Sequence, residues 1–373
     1  MGLLEVLVLS TAFGALVVTV WLPARALRQV AGIWLAAALF VGTRAWLGAL
    51  PAAGLSAALA AAAGWRLPER LLRRIAFALP SLVLLTFVTT LLMYLAPGNP
   101  FANERAAPPE VEEALRAQYG VPESATAFFA IYVQRLAFEG TLGPAIKVQG
   151  RSVEDLLLPA LPVSLSLGLL ALLLAVAIGV VLGVRAGLRP GSLEDVSSMA
   201  LALVGISLPN FVIGALLIIV FALKLGWLPV AGWGGYSHLV MPALTLALPY
   251  AAVIARLARG GTIEVMQQDF IRTARAKGLP ERIVVMKHAL RGAILPVISY
   301  LGPAAAGIMT GSFVVETLFG IPGMGQWFVK GAINRDYSVV LGTALVYFSL
   351  ITSFNLLVDL AIAWVDPRLR DEL

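Results

Sequence analysis

The 373-residue chain has no cysteine at all. Disulfides, thiol nucleophiles and thiolate metal sites are therefore excluded. It has only two histidines, His238 and His288, which argues against a histidine metal centre. Charge is scarce too: 13% of residues are Asp, Glu, Lys or Arg, against about 25% in a soluble domain. Several motifs are missing. There is no G-x-x-x-x-G-K-[ST] and no Gly-Lys pair, so the chain has no phosphate-cradling loop of that type. H-E-x-x-H is also absent, and neither histidine is placed to activate a serine at membrane depth. No catalytic residue and no metal site is assigned, and the chain is not expected to be an enzyme.

What fills the chain is apolar. Hydrophobic residues make up 60% and mean hydropathy is +0.89, the signature of an integral membrane protein. Runs long enough for a helical span, about 20 residues each, lie at Ile75–Leu95, Leu161–Val184, Ser197–Ala222, Leu239–Leu257, Ala293–Phe313 and Val339–Trp364. They show too little period-2 alternation for a β-barrel. The net charge of +6 does not point to nucleic acid, because the cations flank apolar spans. Arg66, Arg70, Arg73 and Arg74 precede the first span, and Arg185 and Arg189 follow the second. Arg256 and Arg259 follow the fourth, and Arg368 and Arg370 the sixth. All fall on one side, which the positive-inside rule makes cytoplasmic, the C-terminus included. His238 then falls in a short external loop.

Two regions stand apart from the six spans. Residues 1–65 contain one run long enough to span, Leu3–Leu22, and two shorter Ala-rich ones; two or three extra N-terminal helices are expected. The long connection 96–156 is acidic and external. Its "PPEVEEALRAQYG" predicts a helix entered after Pro109, within a small helical cap and, compatibly with that, a docking surface or vestibule.

Polar groups inside the spans are few. Asp359 is the chief ionisable one, with Asn355 one turn before it, and "SLPNF" (Ser207–Phe211) interrupts the third span. Asn355 reads as an interhelical hydrogen-bonding group. Ser207, Pro209 and Asn210 read either as a kink whose freed backbone groups are met by neighbours or, with Asn355, as part of a translocation path.

The least expected stretch is "DFIRTARAKGLPERIVVMKHALRGAILP". It has six Lys or Arg residues within about twenty positions, set between two apolar spans. Gln267–Lys277 can form a helix of about three turns that ends at Gly278, with Phe270, Ile271 and Ala274 as an apolar edge. A second helix can start at Pro280 and run into the fifth span. On composition this segment is either an interfacial helix holding anionic lipid or a docking element for a cytoplasmic partner.

This run resembles the cytoplasmic loop of ABC-importer permeases, nearest to the dipeptide and oligopeptide branch. Other stretches agree in order: "RRIAFALPSLVLLTFVTTLLMYLAPGNP", "LPVSLSLGLLALLLAVAIGVVLGVRAG", "GWLPVAGWG", "FGIPGMGQWFVKGAINRDYSVVLG" and the closing "VDPRLR". The likeness covers about Arg66 to Arg370. The wider consensus has Glu-Ala-Ala before the loop glycine, where Arg272-Thr273-Ala274 stands here. The turn "FEGTLG" replaces the usual acidic one, and Asn99 stands where the branch has Asp.

The resemblance implies an all-α, six-helix permease domain over 66–373, in a prokaryotic cytoplasmic membrane, with its coupling loop at 260–292. It implies a second, homologous permease and two cytoplasmic ATPase subunits that hold ATP and Mg, while this chain binds no cofactor. An external substrate-binding protein would deliver the solute, with peptides the expected class. Phe270, Ile271, Arg272, Thr273, Ala274, Arg275, Ala276, Lys277, Gly278 and Leu279 would form the segment that meets an ATPase subunit. Contact would rest mainly on Phe270, Ile271, Ala274 and Leu279. A stand-alone secondary transporter or channel, and a membrane enzyme with a lipid-binding loop, are the rival readings.

Overall fold

The computed structural model describes residues 69–98, 100–101 and 109–365. The N-terminal region, with its two or three expected spans, and the tail bearing Arg368 and Arg370 lie outside the described residues. So does the side chain of Asp359. Among the described residues the fold is all helical, with one isolated bridge, Pro144 to Ser152. The helices are α1 Glu69–Leu95, α2 Pro109–Tyr119, α3 Ala125–Gln134, α4 Val153–Leu188, α5 Leu193–Ser207, α6 Asn210–Leu217, α7 Tyr236–Met266, α8 Asp269–Ala276, α9 Leu295–Leu318, α10 Met324–Asn334 and α11 Tyr337–Val365. A π-wound stretch, Ile218–Lys224, continues α6. Among the described residues five helices are long and apolar enough to cross a membrane, and α5 with extended α6 makes a sixth if the bent pair is one span.

That pair corrects the expected third span. A kink at "SLPNF" was anticipated, but the two halves are bent by 110°. Leu208 and Pro209 are both extended, with ψ of 131° and 145°. Proline disfavours the helical conformation at the residue before it and supplies no N–H to continue the ladder. α1, α4, α7 and α9 carry internal prolines without breaking, but here Leu208 takes the extended conformation, so α5 ends and α6 starts afresh. His238 lies in the first turn of α7, not in a loop.

The chain forms two compact units, divided within α4, α10 and α11. In the first, an aromatic cluster joins Tyr94 to Phe128 and Tyr337, with ring centroids 5.9 and 5.1 Å apart, and Tyr94 donates to the carbonyl of Pro122 at 2.8 Å. The helix expected after Pro109 forms as α2, with Glu110 and Glu112 in its first turn and Arg116 in its last. This order matches the helix dipole. Asp336, 2% exposed, accepts from the backbone N–H groups of Lys147 (2.9 Å) and Val339 (3.2 Å). It caps α11 and pins the connection that precedes α4 to it. Gly98, at φ +119°, a conformation that side chains rarely adopt, lies directly beneath the Arg335 guanidinium, which a Cβ would displace.

In the second unit α7 is central and packs against α5, α6 and α9. Its buried face is mostly small: Ala243, Ala247, Ala251, Ala255, Ala258 and Gly261 are among its buried residues. Three glycines of α4, spaced by four, meet it. A Cβ on Gly179 would lie 2.7 Å from the carbonyl oxygen of Ala251, and one on Gly187 would lie 2.8 Å from that of Arg259. Gly183 abuts the carbonyl of Ala255 between them. Lipid tails are as apolar as leucine, so helices in a bilayer associate through close backbone approach rather than hydrophobic exclusion. At the head of α5, Asp195 receives a two-point ion pair from Arg259 of α7 (2.5 and 2.8 Å) and the N–H of Gly191 (2.9 Å).

Because backbone blocks Gly183, no side-chain movement can make room there. Gly183→Leu is expected to destabilise the protein by about 1–3 kcal/mol or more through overpacking, while the same change at exposed Gly260, where a Cβ meets nothing, is tolerated far better. Thermal unfolding in detergent compares the two. Equal midpoints would refute the backbone contact.

Candidate functional site: the basic helix at the membrane edge

α8 begins after a break at Gln267–Gln268 that turns the chain out of α7. It is strongly amphipathic. Ile271 (0% exposed) and Ala274 (5%) are buried, and pack with Val284 and Ala289 against Val265, Met266 and Leu279. The helix ends as expected at Gly278, φ +75°. The Gly278 N–H bonds to the carbonyl of Arg275 (2.9 Å) and the Leu279 N–H to that of Ala274 (3.4 Å). These two bonds and the Leu279 contact make a Schellman termination, in which a left-handed glycine is the favoured residue.

The apolar edge foreseen as a contact surface is therefore corrected. Ile271 and Ala274 face inward, because the following helical pieces, Glu281–Ile283, Val284–Ala289 and Leu290–Ala293, fold back against them. The outer face carries Phe270 (51% exposed), Arg272, Thr273, Arg275, Ala276 and Lys277. Ile283 and Met286 are also exposed apolar groups, 42% and 62%. Sequence reasoning missed both, although their place in the basic run could have marked them.

The cations are not equivalent. Arg275 grips Glu281 with bonds of 2.6 and 3.1 Å, tying α8 to the piece that follows the turn. The Arg275 guanidinium holds the Glu281 carboxyl below its usual range. Arg272 reaches Asp269 at 3.3 Å, with both side chains largely exposed, a pair of little energetic weight. Lys277 is exposed beside the turn.

The second set of sequence-flagged residues does not form one site. Ser207, Pro209 and Asn210 lie together at the α5–α6 break, and Asn210 faces Gly311 of α9. Asn355 of α11 packs on Gly302 of the same helix. Nine residues separate these contacts, about 13 Å along the axis and half a turn around it, so the two asparagines meet opposite faces of α9.

A buried group at the other end of α9 was missed. The fifth span was read as ending at Phe313, but α9 runs to Leu318 and encloses Glu316, which is 0% exposed. Its carboxylate accepts the Gly325 N–H at 2.8 Å, and Ser164 of α4 accepts that of Met324 at 2.8 Å. The two side chains flank Gly323, where a Cβ would strike both. Glu316 thus holds the "GIPGMG" turn and starts α10. The acid seven residues before Gly323, with no cation nearby in sequence, was the available signal.

Comparison with known proteins gives the chain relatives over most of its length. Residues 179–371 match the family described as binding-protein-dependent transport system inner membrane component. The chain is 45% identical over 300 residues to the oligopeptide transport system permease protein OppB of Haemophilus influenzae, covering 80% of this chain and 98% of that protein. It is 45% identical over 302 residues to OppB of Escherichia coli K12, with the same coverage. Against the dipeptide transport system permease protein DppB of Bacillus subtilis it is 42% identical over 291 residues, 78% of this chain and 94% of that one.

Two outcomes are expected. Ile271→Ala should loosen α8, at about 2–5 kcal/mol for a buried aliphatic, while Phe270→Ala should stay within about 0.5 kcal/mol. Amide exchange across 269–279 separates them, and equal protection in both variants would contradict the packing. The Glu281 carboxyl is lowered in the folded state, so its pair with Arg275 is intact above the ordinary carboxylate range and is lost as pH falls through the lowered value. Exchange at the Gly278 turn should therefore rise at acid pH in the native chain, and Glu281→Gln should flatten that acid dependence.

Proposed function

The chain belongs to the binding-protein-dependent transport system inner membrane component family, and from that membership we propose that it is the permease of an ATP-driven importer of oligopeptides or dipeptides. It would pair with a second, homologous permease to form the path. Two cytoplasmic ATPase subunits would hold ATP and Mg, and an external substrate-binding protein would hand over the peptide. The C-terminus and α8 would face the cytoplasm.

The observation that carries this reading is the build of α8. It is a short helix seated on its own chain by Ile271 and Ala274 and stopped by Gly278. It is stitched across the turn by Arg275 and Glu281, and it presents Phe270 and Lys277 outward. A lipid-lying helix buries its apolar face in the bilayer, whereas the buried face here is already used. The outward face suits a groove with an acidic rim. Closure of the ATPase pair would pull on α8, and the Schellman turn and ion pair would pass that pull to the helices leading into α9.

Within the path we place Ser207, Pro209 and Asn210, where broken helices expose backbone groups at membrane depth. Such a break is tolerated only against protein or a cavity. Asn355, on the far face of α9, serves as a helix contact.

The test is uptake and ATP hydrolysis by the assembled transporter in proteoliposomes. Lys277→Glu and Phe270→Ala should leave assembly in the membrane intact but lower uptake per ATP several-fold. Ala274→Trp should unseat α8 and abolish coupling. Normal coupling in Ala274→Trp, or uptake by this chain with no ATPase present, would overturn the reading. Asn210→Ala should change the KM for peptide, and Asn355→Ala should not.

A further inference from the structure

α4, α5, α6 and α7 leave a cavity of about 350 Å³ beside the break of the third span. It is lined by Ile178 and Leu182 of α4, by Ser198, Ala202 and Gly205 of α5, and by Leu248 of α7, among others. Ser198 supplies the one polar side chain of the lining. With a water's share of liquid, about 30 Å³, as yardstick, it holds on the order of a dozen methylene-sized groups. A peptide backbone would find no partners for its N–H and C=O groups there. A whole helix, about 10 Å across, does not fit. The remaining occupant of matching shape is a hydrocarbon chain.

One end of the slot meets charge. On α4, α5 and α7 the lining ends close to ionised residues. Leu182 is followed by Arg185, Ser198 is preceded by Glu194 and Asp195, and Ala255 is followed at once by Arg256, which lies near Tyr300 of α9, and a turn later by Arg259. Most of these charges are spent. Arg185 pairs with Glu194 at 2.9 Å and Arg259 with Asp195. Arg189, in the turn from α4 to α5, is exposed and has no ion pair among the described residues. Arg189 follows Leu182 by seven residues, two turns on, which puts it on the same face of α4 about 10 Å beyond the apolar lining, on the side the charge asymmetry makes cytoplasmic.

We propose that this slot binds one acyl chain of an anionic phospholipid of the cytoplasmic leaflet, with its headgroup phosphate on Arg189. Because the bulk membrane is as apolar as the slot, the chain alone gives little preference for bound over free lipid. Discrimination comes from the headgroup, so the site selects by charge.

The experiment uses the full chain in the assembled transporter, reconstituted in nanodiscs with a trace of phosphatidylglycerol carrying a photoreactive acyl chain, followed by peptide mapping. Labelling is expected at Ala202, Gly205 and Leu248. Unlabelled phosphatidylglycerol should compete at least five-fold better than phosphatidylcholine. Ala202→Phe, which fills the slot, should remove the label while thermal stability is kept. Arg189→Gln should weaken labelling about five-fold, the weight of one basic residue near an anionic surface. Equal competition by phosphatidylcholine would mean a face wetted by bulk lipid and would overturn the proposal. So would labelling of the isolated chain that vanishes in the assembled transporter, because a second permease would then cover the slot.

Discussion

The second unit rests on the contact of two backbones, α4 against α7. Gly179, Gly183 and Gly187 present no side chain where the carbonyls of Ala251, Ala255 and Arg259 come up. In water such glycines would be a liability for a helix. In a bilayer they permit the close approach on which helix association depends. Once α4 and α7 are locked at that distance, the small residues of α7 leave room for α5, α6 and α9 around it. The Asp195–Arg259 pair then sets where α5 begins.

The same helix, α7, passes its order to the basic segment. It continues beyond the apolar run to Met266, so α8 starts from a rigid support. Every device within α8 then restricts its position: an inward apolar pair, a glycine-terminated end and an ion pair across the turn. None of these needs a partner to form. In the docking role proposed for it, a helix organised before its partner arrives would lose little conformational freedom on binding and would transmit displacement rather than absorb it.

Much of this was legible in the sequence. The apolar runs located five crossing helices and the bent pair, because about twenty apolar residues have few other uses. Pro109, Gly278 and Pro209 marked a helix start, a helix end and a break, since each acts through its own backbone. The direction of side chains was less legible. Ile271 and Ala274 looked like an outer edge because periodicity gives a face and not the neighbour that covers it; Val284 and Ala289 come from across a turn. Glu316 was missed for a related reason. Its donors, the Gly325 N–H and the Ser164 hydroxyl, come from a turn and from α4, which only the folded chain brings to it. Asn210 and Asn355 were grouped by chemistry, and the helix between them set them apart.

The 110° break has a consequence for how the chain enters a membrane. α5 has 15 residues, about 22 Å of helix, short of the roughly 30 Å of hydrocarbon. Extended α6 is no longer. Neither half can be committed to the bilayer as an independent hydrophobic stake, and the extended backbone at Leu208 and Pro209 would face lipid until covered. The segment is therefore held by the protein around it, and α7, which packs on both halves, is synthesised after it. The order of synthesis makes α4 and the broken pair alike wait on α7.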